Sequence, residues 1–431
     1  MMTTARRGVL GKRYVLVSTD GHAGASLLGY RDYLERRWHE EFDRWAADFD
    51  DDAWSDIDDE EEFQTGASSF VSPVNWDSGL RQAALEKEGI VAEVLFPNTI
   101  QPFYPTGTLA APAPRTREDY ERRWAGLRAH NRWLKDFCDE LPGQRIGLAQ
   151  LFLNDVGNAV EEVRWAKGAG LKGVLLPPDH HLNIQNLYYR SLDPLWEVCA
   201  ELDMPVHRHG IVVCSDEDAP ESRPGAHAVG LYESKYFGQR ALHQLVLSGV
   251  FERHPNLQFV LTEIGGAAWV LQELSSLDNL VRGASVEHTI RNYLIGEGVG
   301  QLSLLPSEYY RRQCHISTGF HRDDIPKRHE IGVDRILWGA DFPHHEGTAG
   351  YTLEWLRASM SGLPEDEVRA ITSLNAADVY DIDLEFLQTQ ADEVGPGVQE
   401  VAARLVRDEI PTDPNFLMAF PELFDVVGAP R

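Results

Sequence analysis

The sequence predicts an α/β fold: a (β/α)₈ TIM barrel with an insertion after its first strand and a C-terminal extension. Three observations predict it. Short, β-branched apolar runs alternate with longer helical patterns along most of the 431 residues. Eight such runs stand in series. No glycine-rich phosphate loop opens the chain, as one would in a nucleotide-binding open sheet. Alternation of this kind indicates parallel strands joined by helical crossovers. Eight strands at this length fit a barrel better than an open sheet.

The candidate strands, in order, are Val15–Asp20, Ile90–Pro97, Ile146–Phe152, Gly173–Pro177, Pro205–His209, Phe259–Glu263, Cys314–Thr318 and Ile336–Asp341. They read as near-continuous apolar runs, as strands buried on both faces should. Helical periodicity lies between them. Arg122–Glu140 carries Trp124, Leu127, His130, Asn131, Leu134 and Cys138 on one side. Ala159–Ala169 and Pro194–Leu202 precede later strands. Tyr236–Phe251 runs into His254-Pro255-Asn256, a stop signal. The barrel is expected over residues 1–385. Residues 30–76 are an insertion whose stretch from Asp48 to Glu62 holds ten acidic residues, the pattern of a solvated loop. Residues 386–431 form an extension. Its segment Phe416-Leu417-Met418-Ala419-Phe420-Pro421 is too apolar to hang free, and is expected to pack on the barrel or on a neighbouring subunit.

Composition narrows the partners. The formal net charge is −28, which repels nucleic acid and anionic lipid alike. Hydrophobic residues make up 43%, enough for a large core. Cys138, Cys199, Cys214 and Cys314 form no C-x-x-C pair, so free thiols in a reducing compartment are expected. No apolar stretch approaches the roughly 20 residues of a membrane span. The expectation is a cytoplasmic protein with a small-molecule substrate, assembling as a homodimer.

Chemistry is concentrated where a barrel places it, at the C-terminal ends of strands. The first strand ends Asp20-Gly21-His22 and the fourth leads into Asp179-His180-His181. The fifth ends His207-Arg208-His209-Gly210 and the sixth Thr262-Glu263. The eighth ends Asp341-Phe342-Pro343-His344-His345. Stability does not ask for imidazoles and carboxylates at strand ends. A divalent metal does. Asp20 and His22 are two residues apart and share a strand face, as do His207 and His209. Gly210 lets the backbone turn beside His209. A charge at Asp341, ending an apolar strand, needs a metal or a cationic partner. Arg208, between two inward histidines, is expected to face away into the barrel wall.

Taken together, Thr19-Asp20-Gly21-His22, Pro205-Val206-His207-Arg208-His209-Gly210, Leu261-Thr262-Glu263-Ile264-Gly265-Gly266 and Gly339-Ala340-Asp341-Phe342-Pro343-His344 resemble the amidohydrolase superfamily. Within it they are most similar to the amidohydrolase-related branch that includes the aminocarboxymuconate semialdehyde decarboxylase-like enzymes. The resemblance runs from about residue 13 to 385. It implies a barrel with metal ligands at strands one, five, six and eight: Asp20, His22, His209, Glu263 and Asp341. Asp341, Glu263 and His344 are the implied catalytic groups. Asp20-x-His22 replaces the commoner His-x-His, and Glu263 stands where many members have histidine. Lys172 begins the fourth strand rather than ending it, so it is not placed for a bridging carbamate. The donor set is richer in oxygen than that of a typical zinc hydrolase and suits manganese or iron, and the cofactor expected is one or two divalent ions, zinc, manganese or iron. His180, His207, His243 and His321 are candidates for a second metal or for supporting the first, and Phe96 and Trp269 for lining a substrate pocket.

Two reaction classes follow. The first is a metal-dependent hydrolase or non-oxidative decarboxylase of a small amide, ester or carboxylic acid. The second is a non-heme dinuclear oxygenase, favoured by Glu263 and the surplus histidines. A barrel without metal, serving as a partner subunit, is a third reading, disfavoured by the intact set Asp20, His22, His209 and Asp341.

Overall fold

The computed structural model describes residues 11–49, 71–105, 111–179, 185–210, 225–284, 299–319 and 324–423, with single residues 295 and 426. Most of the acidic run after Asp48 lies outside them.

Eight parallel strands run in sequence order: β1 (Leu16–Ala23), β2 (Ile90–Pro97), β3 (Arg145–Gln150), β4 (Gly173–Leu175), β5 (Val206–His209), β6 (Phe259–Thr262), β7 (Cys314–Thr318) and β8 (Ile336–Trp338). The ring closes just beyond β8. Asp341 N donates to Asp20 O at 2.8 Å, and His22 N to Phe342 O at 2.7 Å. Gly339 permits this approach, because a Cβ there would stand 2.5 Å from that of Asp20. The fold is therefore the expected (β/α)₈ barrel.

Helices fill the crossovers because their apolar stripes have the sheet's outer face to cover. The helix Arg117–Asp139 buries Leu127, Leu134 and Phe137, and Thr116 caps its start by accepting from Asp119 N. Val156–Gly168 starts the same way on Asp155. Ala226–Leu247 is followed by a short helix that ends at Arg253, before His254-Pro255. Inside the barrel, Val15, Val17, Phe96, Ile146, Leu148, Leu175, Val260 and Leu337 form one buried cluster. Tyr380 joins it from the C-terminal side.

Within the extension, Phe416, Leu417 and Phe420 bury against Trp355. The insertion begins as helical turns, Leu27–Tyr33 and His39–Asp48. No helix among the described residues is long and apolar enough to cross a membrane.

Candidate metal centre at the barrel mouth

The two first-strand residues reach the axis by an irregularity. Val15 and Val17 belong to the interior cluster and Leu16 to the outer one. Strict alternation would send Asp20 and His22 outward with Leu16. The pairing of β1 with β2 shifts register between Ser18 and Gly21, which resets the phase. The Ser18 hydroxyl supports the bend, donating to Asp20 O at 2.7 Å and accepting from Ala340 N at 2.9 Å. On β5 plain alternation suffices. His207 and His209 point inward, while Arg208 is buried in the wall, where its Nη1 donates to Pro177 O and its Nη2 lies 3.8 Å from Asp179.

Glu263 needs a second device. Val260 and Thr262 set the inward phase of β6, so the next residue would face out. Instead Glu263 adopts φ +54°, and so does Asp341 beyond β8. Left-handed backbone at two non-glycine residues is unfavourable and gathers at functional sites. Gly210 makes room for the first of these turns, since a Cβ there would lie 2.0 Å from Glu263 O. Its φ is not in the left-handed region, so its role is close packing rather than the sharp turn expected from the sequence.

Six side chains converge. His22 Nε2 lies 3.4 Å from Asp20 Oδ1 and 3.1 Å from Asp341 Oδ1. His209 Nε2 lies 3.2 Å from Asp20 Oδ1 and 3.5 Å from Glu263 Oε2. His344 Nδ1 lies 2.8 Å from Asp341 Oδ1. Three overlapping triads each keep their donor atoms within 4.8 Å: Asp20, His22 and His209; His22, Asp341 and His344; Asp20, Glu263 and Asp341. Donors about 2.1 Å from a common ion would stand up to about 4.3 Å apart, so little contraction is required.

The far nitrogens are turned outward, as in metal-binding histidines. His22 Nδ1 is 3.5 Å from Pro97 O, and His209 Nδ1 bonds Gly210 O. Phe96 sits beneath, its ring 4.7 Å from that of His209 and 5.8 Å from that of His22.

The electrostatics are those of a cation site. Burial alone would lower the His22 pKa, but its bonds to Asp20 and Asp341 outweigh that and push it up to about 10. Burial raises Glu263 well above the usual carboxylate range, helped by the negative charges of Asp341 and Asp20. Its side chain is 39% exposed, so water softens the effect. Burial works against ionised Asp20, yet bonds from His209 and His22 hold it low. Asp341 is likewise held low against its burial, by the charge of His344 and the His22 bond. Among the described residues, the buried His22 Nε2 and Asp341 Oδ1 have no hydrogen-bond partner of good geometry. Three carboxylates and unmatched buried donor atoms fit a divalent ion.

Other expected residues are placed elsewhere. His207 lies below the cluster, its nitrogens 3.0 Å from Val174 O and 2.9 Å from the Tyr380 hydroxyl, so neither is left for a metal. His243 pairs with Glu273 at 3.0 Å, between helices outside the barrel. Phe96 is 1% exposed and packs under the imidazoles instead of facing an open pocket. Trp269 lines an open cleft with Gly265, Gly266, Asp324 and Lys327, next to the Glu263 turn. Lys172 donates to Asp381 O, far from the strand's mouth end. His180 and His321 lie outside the described residues.

Two residues escaped the sequence reading. His344 Nε2 is 3.0 Å from Asn98 Oδ1; Asn98 Nδ2 donates to Asn75 Oδ1 at 2.7 Å; Asn75 Nδ2 donates to Ser72 O at 3.1 Å. Asn98 directly follows β2, so the strand-end rule could have found it. Asn75 lies in the insertion, where no such rule operates.

Comparison with known proteins agrees with this geometry. The amidohydrolase family model matches residues 96–382. A gamma-resorcylate decarboxylase from Rhizobium sp. (strain MTP-10005) is 25% identical over 289 residues, 64% of this chain and 82% of its own. One from Rhodococcus jostii is 23% identical over 333 residues, 74% and 94%. The crystal structure of 5-carboxyvanillate decarboxylase from Novosphingobium aromaticivorans, with bound manganese and a nitrobenzoic acid, superposes with a TM-score of 0.63 at 17% identity, covering 86% of this chain and 98% of its own. These relatives are decarboxylases, which fits the first reaction class and not the oxygenase. A family match over two-thirds of the chain, on a barrel whose mouth gathers carboxylates and imidazoles, places the chain in the amidohydrolase family.

Proposed function

We propose that this protein is a divalent-metal-dependent decarboxylase of a hydroxylated aromatic carboxylic acid. The observation that carries the reading is the convergence of Asp20, His22, His209, Glu263 and Asp341 at the barrel mouth. The names of the relatives supply the substrate class: gamma-resorcylate and 5-carboxyvanillate are both hydroxylated aryl acids.

Asp20, His22, His209 and Glu263 would hold the ion, with Asp341 as a further oxygen donor at the edge. When bound, a divalent ion supplies positive charge that holds the substrate carboxylate and its neighbouring hydroxyl oxygen and offsets negative charge developing on the ring. Protein groups do the rest. Asp341 and His344, 2.8 Å apart, hold a proton between Oδ1 and Nδ1. As the bond from ring carbon to carboxylate breaks, its electron pair stays on the ring carbon and takes up that proton. The His344 ring is held for this by Asn98. Trp269 offers an aromatic face at the cleft beside Glu263.

The test is release of carbon dioxide from 2,6-dihydroxybenzoate, 5-carboxyvanillate and a panel of other ortho-hydroxybenzoates. The protein would come from cells supplied with manganese, zinc and iron, with metal content measured alongside. The expected result is activity lost on chelation and restored by one divalent ion. Asp341→Asn should retain metal and lose roughly 10³-fold in kcat, the scale of a general acid. His209→Ala should lose metal. Ester or amide hydrolysis without carbon dioxide release from any aryl acid would turn the assignment to a hydrolase, and a metal-free protein under every supply would refute it.

A further inference from the structure

A second set of unmatched polar groups lies apart from the metal cluster. Arg123, on the helix Arg117–Asp139, is 3% exposed, and among the described residues its Nε and Nη2 have no hydrogen-bond partner of good geometry. Its Nη1 reaches Asp119 Oδ2 at 3.5 Å, but that carboxylate is 41% exposed and largely solvated. The guanidinium carbon sits 4.4 Å from the Tyr104 ring centre and 5.5 Å from that of Phe152. Aromatic faces soften a buried cation without neutralising it. The Tyr104 hydroxyl lies close enough to Arg123 to interact with its guanidinium, but among the described residues neither it nor the buried Gln150 Nε2 makes a hydrogen bond of good geometry. All three residues line one small cavity, walled by Leu127, Leu175 and Pro177, with room for about one water-sized occupant.

The chemistry of the lining selects the occupant. Guanidinium and amide N–H groups only donate, and burial holds the Tyr104 hydroxyl well above its usual pKa, so it keeps its proton and can donate too. A water would satisfy two donors with its lone pairs while bringing two hydrogens of its own. An anion accepts from every donor and also balances the buried charge, which is costly when unpaired. The space excludes a carboxylate with a ring attached.

We propose that a single monovalent anion of halide size binds here, held by Arg123, Gln150 and Tyr104. It would fasten three elements at the mouth side of the barrel: the loop after β2, the helix carrying Arg123, and the end of β3. Among the described residues, the lining of this cavity shares no side chain with the metal cluster, so this inference does not rest on the decarboxylase reading.

The experiment compares thermal unfolding in sodium bromide and sodium gluconate at equal ionic strength, with a crystal grown in bromide and measured at the bromine edge. Bromide should raise the midpoint by about 2 °C over gluconate. An anomalous peak should appear within hydrogen-bond reach of Arg123 Nε and Nη2. Arg123→Met should abolish the bromide effect and, in gluconate, be at least as stable as the unmutated protein, because it removes an unpaired buried charge. Gln150→Leu, which keeps the guanidinium, should weaken the effect. Equal stability in both salts, with density for a water or with the Gln150 amide turned so that its oxygen meets the guanidinium, would overturn the proposal.

Discussion

Single residues set what the mouth of this barrel can hold. In the metal-free protein His22 keeps a proton up to a pKa of about 10, because Asp20 and Asp341 stabilise the imidazolium. A metal ion held by His22 would displace that proton, so binding there would release a proton at neutral pH. The sign follows directly: apparent metal affinity should rise by up to about tenfold per pH unit between pH 7 and 9. Titration calorimetry with manganese, in two buffers of different ionisation heat, would measure the proton released; none released at pH 7 would contradict the protonated His22. Gly210 makes a second prediction at this scale. A Cβ at this position would stand 2.0 Å from Glu263 O, so Gly210→Ala must push apart the ends of β5 and β6. A loss of about 2 kcal/mol is expected in urea unfolding, together with weaker metal binding, because the Glu263 turn is displaced. The sequence showed which residue types crowd the strand ends. It did not show that Asp20 and His22 start out of phase with Val15 and Val17, nor that Glu263 enters through a positive φ. Both are departures from the strand period, and a periodic reading has no means of placing them.

Elements were more legible than their edges. β2 and β7 begin and end where their apolar runs do, at Ile90–Pro97 and Cys314–Thr318. β8 stops at Trp338, three residues short of the apolar run: Gly339 N still bonds Thr318 O of β7, but Asp341 N has passed to Asp20 O of β1. Helix starts were read late for a physical reason. The first turn of Arg117–Asp139 is Arg-Glu-Asp-Tyr, polar and exposed, and is fixed by the Thr116 cap rather than by an apolar stripe. The C-terminal helix Pro414–Ala419 is capped too, Asp413 accepting from Asn415 N and Phe416 N, and packing adds to that cap. Phe416 is fully buried, 6.1 Å from the Trp355 ring and 5.0 Å from that of Phe420. Trp355 in turn donates to Gly319 O at 2.7 Å, at the mouth end of β7. Phe416→Ala should therefore cost about 3 kcal/mol and red-shift tryptophan emission as Trp355 meets water. An unchanged spectrum with unchanged stability would mean that the extension does not rest on the barrel in solution.

Across the whole molecule, the barrel's stability is tied to pH by histidines that have no part in the metal cluster. His130, on the helix outside β3, is lowered by burial to a pKa of about 3. His207, inside the barrel, is lowered by burial to about 4. His315, on β7, is lowered by burial, with Arg335 adding to it, to about 3. Each makes bonds suited to the neutral ring: His130 Nδ1 meets the Tyr30 hydroxyl at 2.9 Å, His207 Nε2 meets the Tyr380 hydroxyl at 2.9 Å, and His315 Nε2 faces Arg335 Nη1 at 3.3 Å. Above the unfolded pKa of about 6.5 all three are neutral whether the chain is folded or not, and their packing contributes in full. Below it the unfolded chain takes up protons that the folded chain refuses. Stability should then fall as pH drops from about 6.5 toward 4, by up to about 1.4 kcal/mol per pH unit for each histidine. Two other groups act between pH 6.5 and 5: His254, lowered by burial, adds to the decline, and Glu263, raised by burial, opposes it. Urea midpoints for metal-free protein should decline through that window, and His130→Gln, which keeps a partner for Tyr30, should make the decline shallower. A flat profile in the unmutated protein would mean that these rings are charged in the folded state.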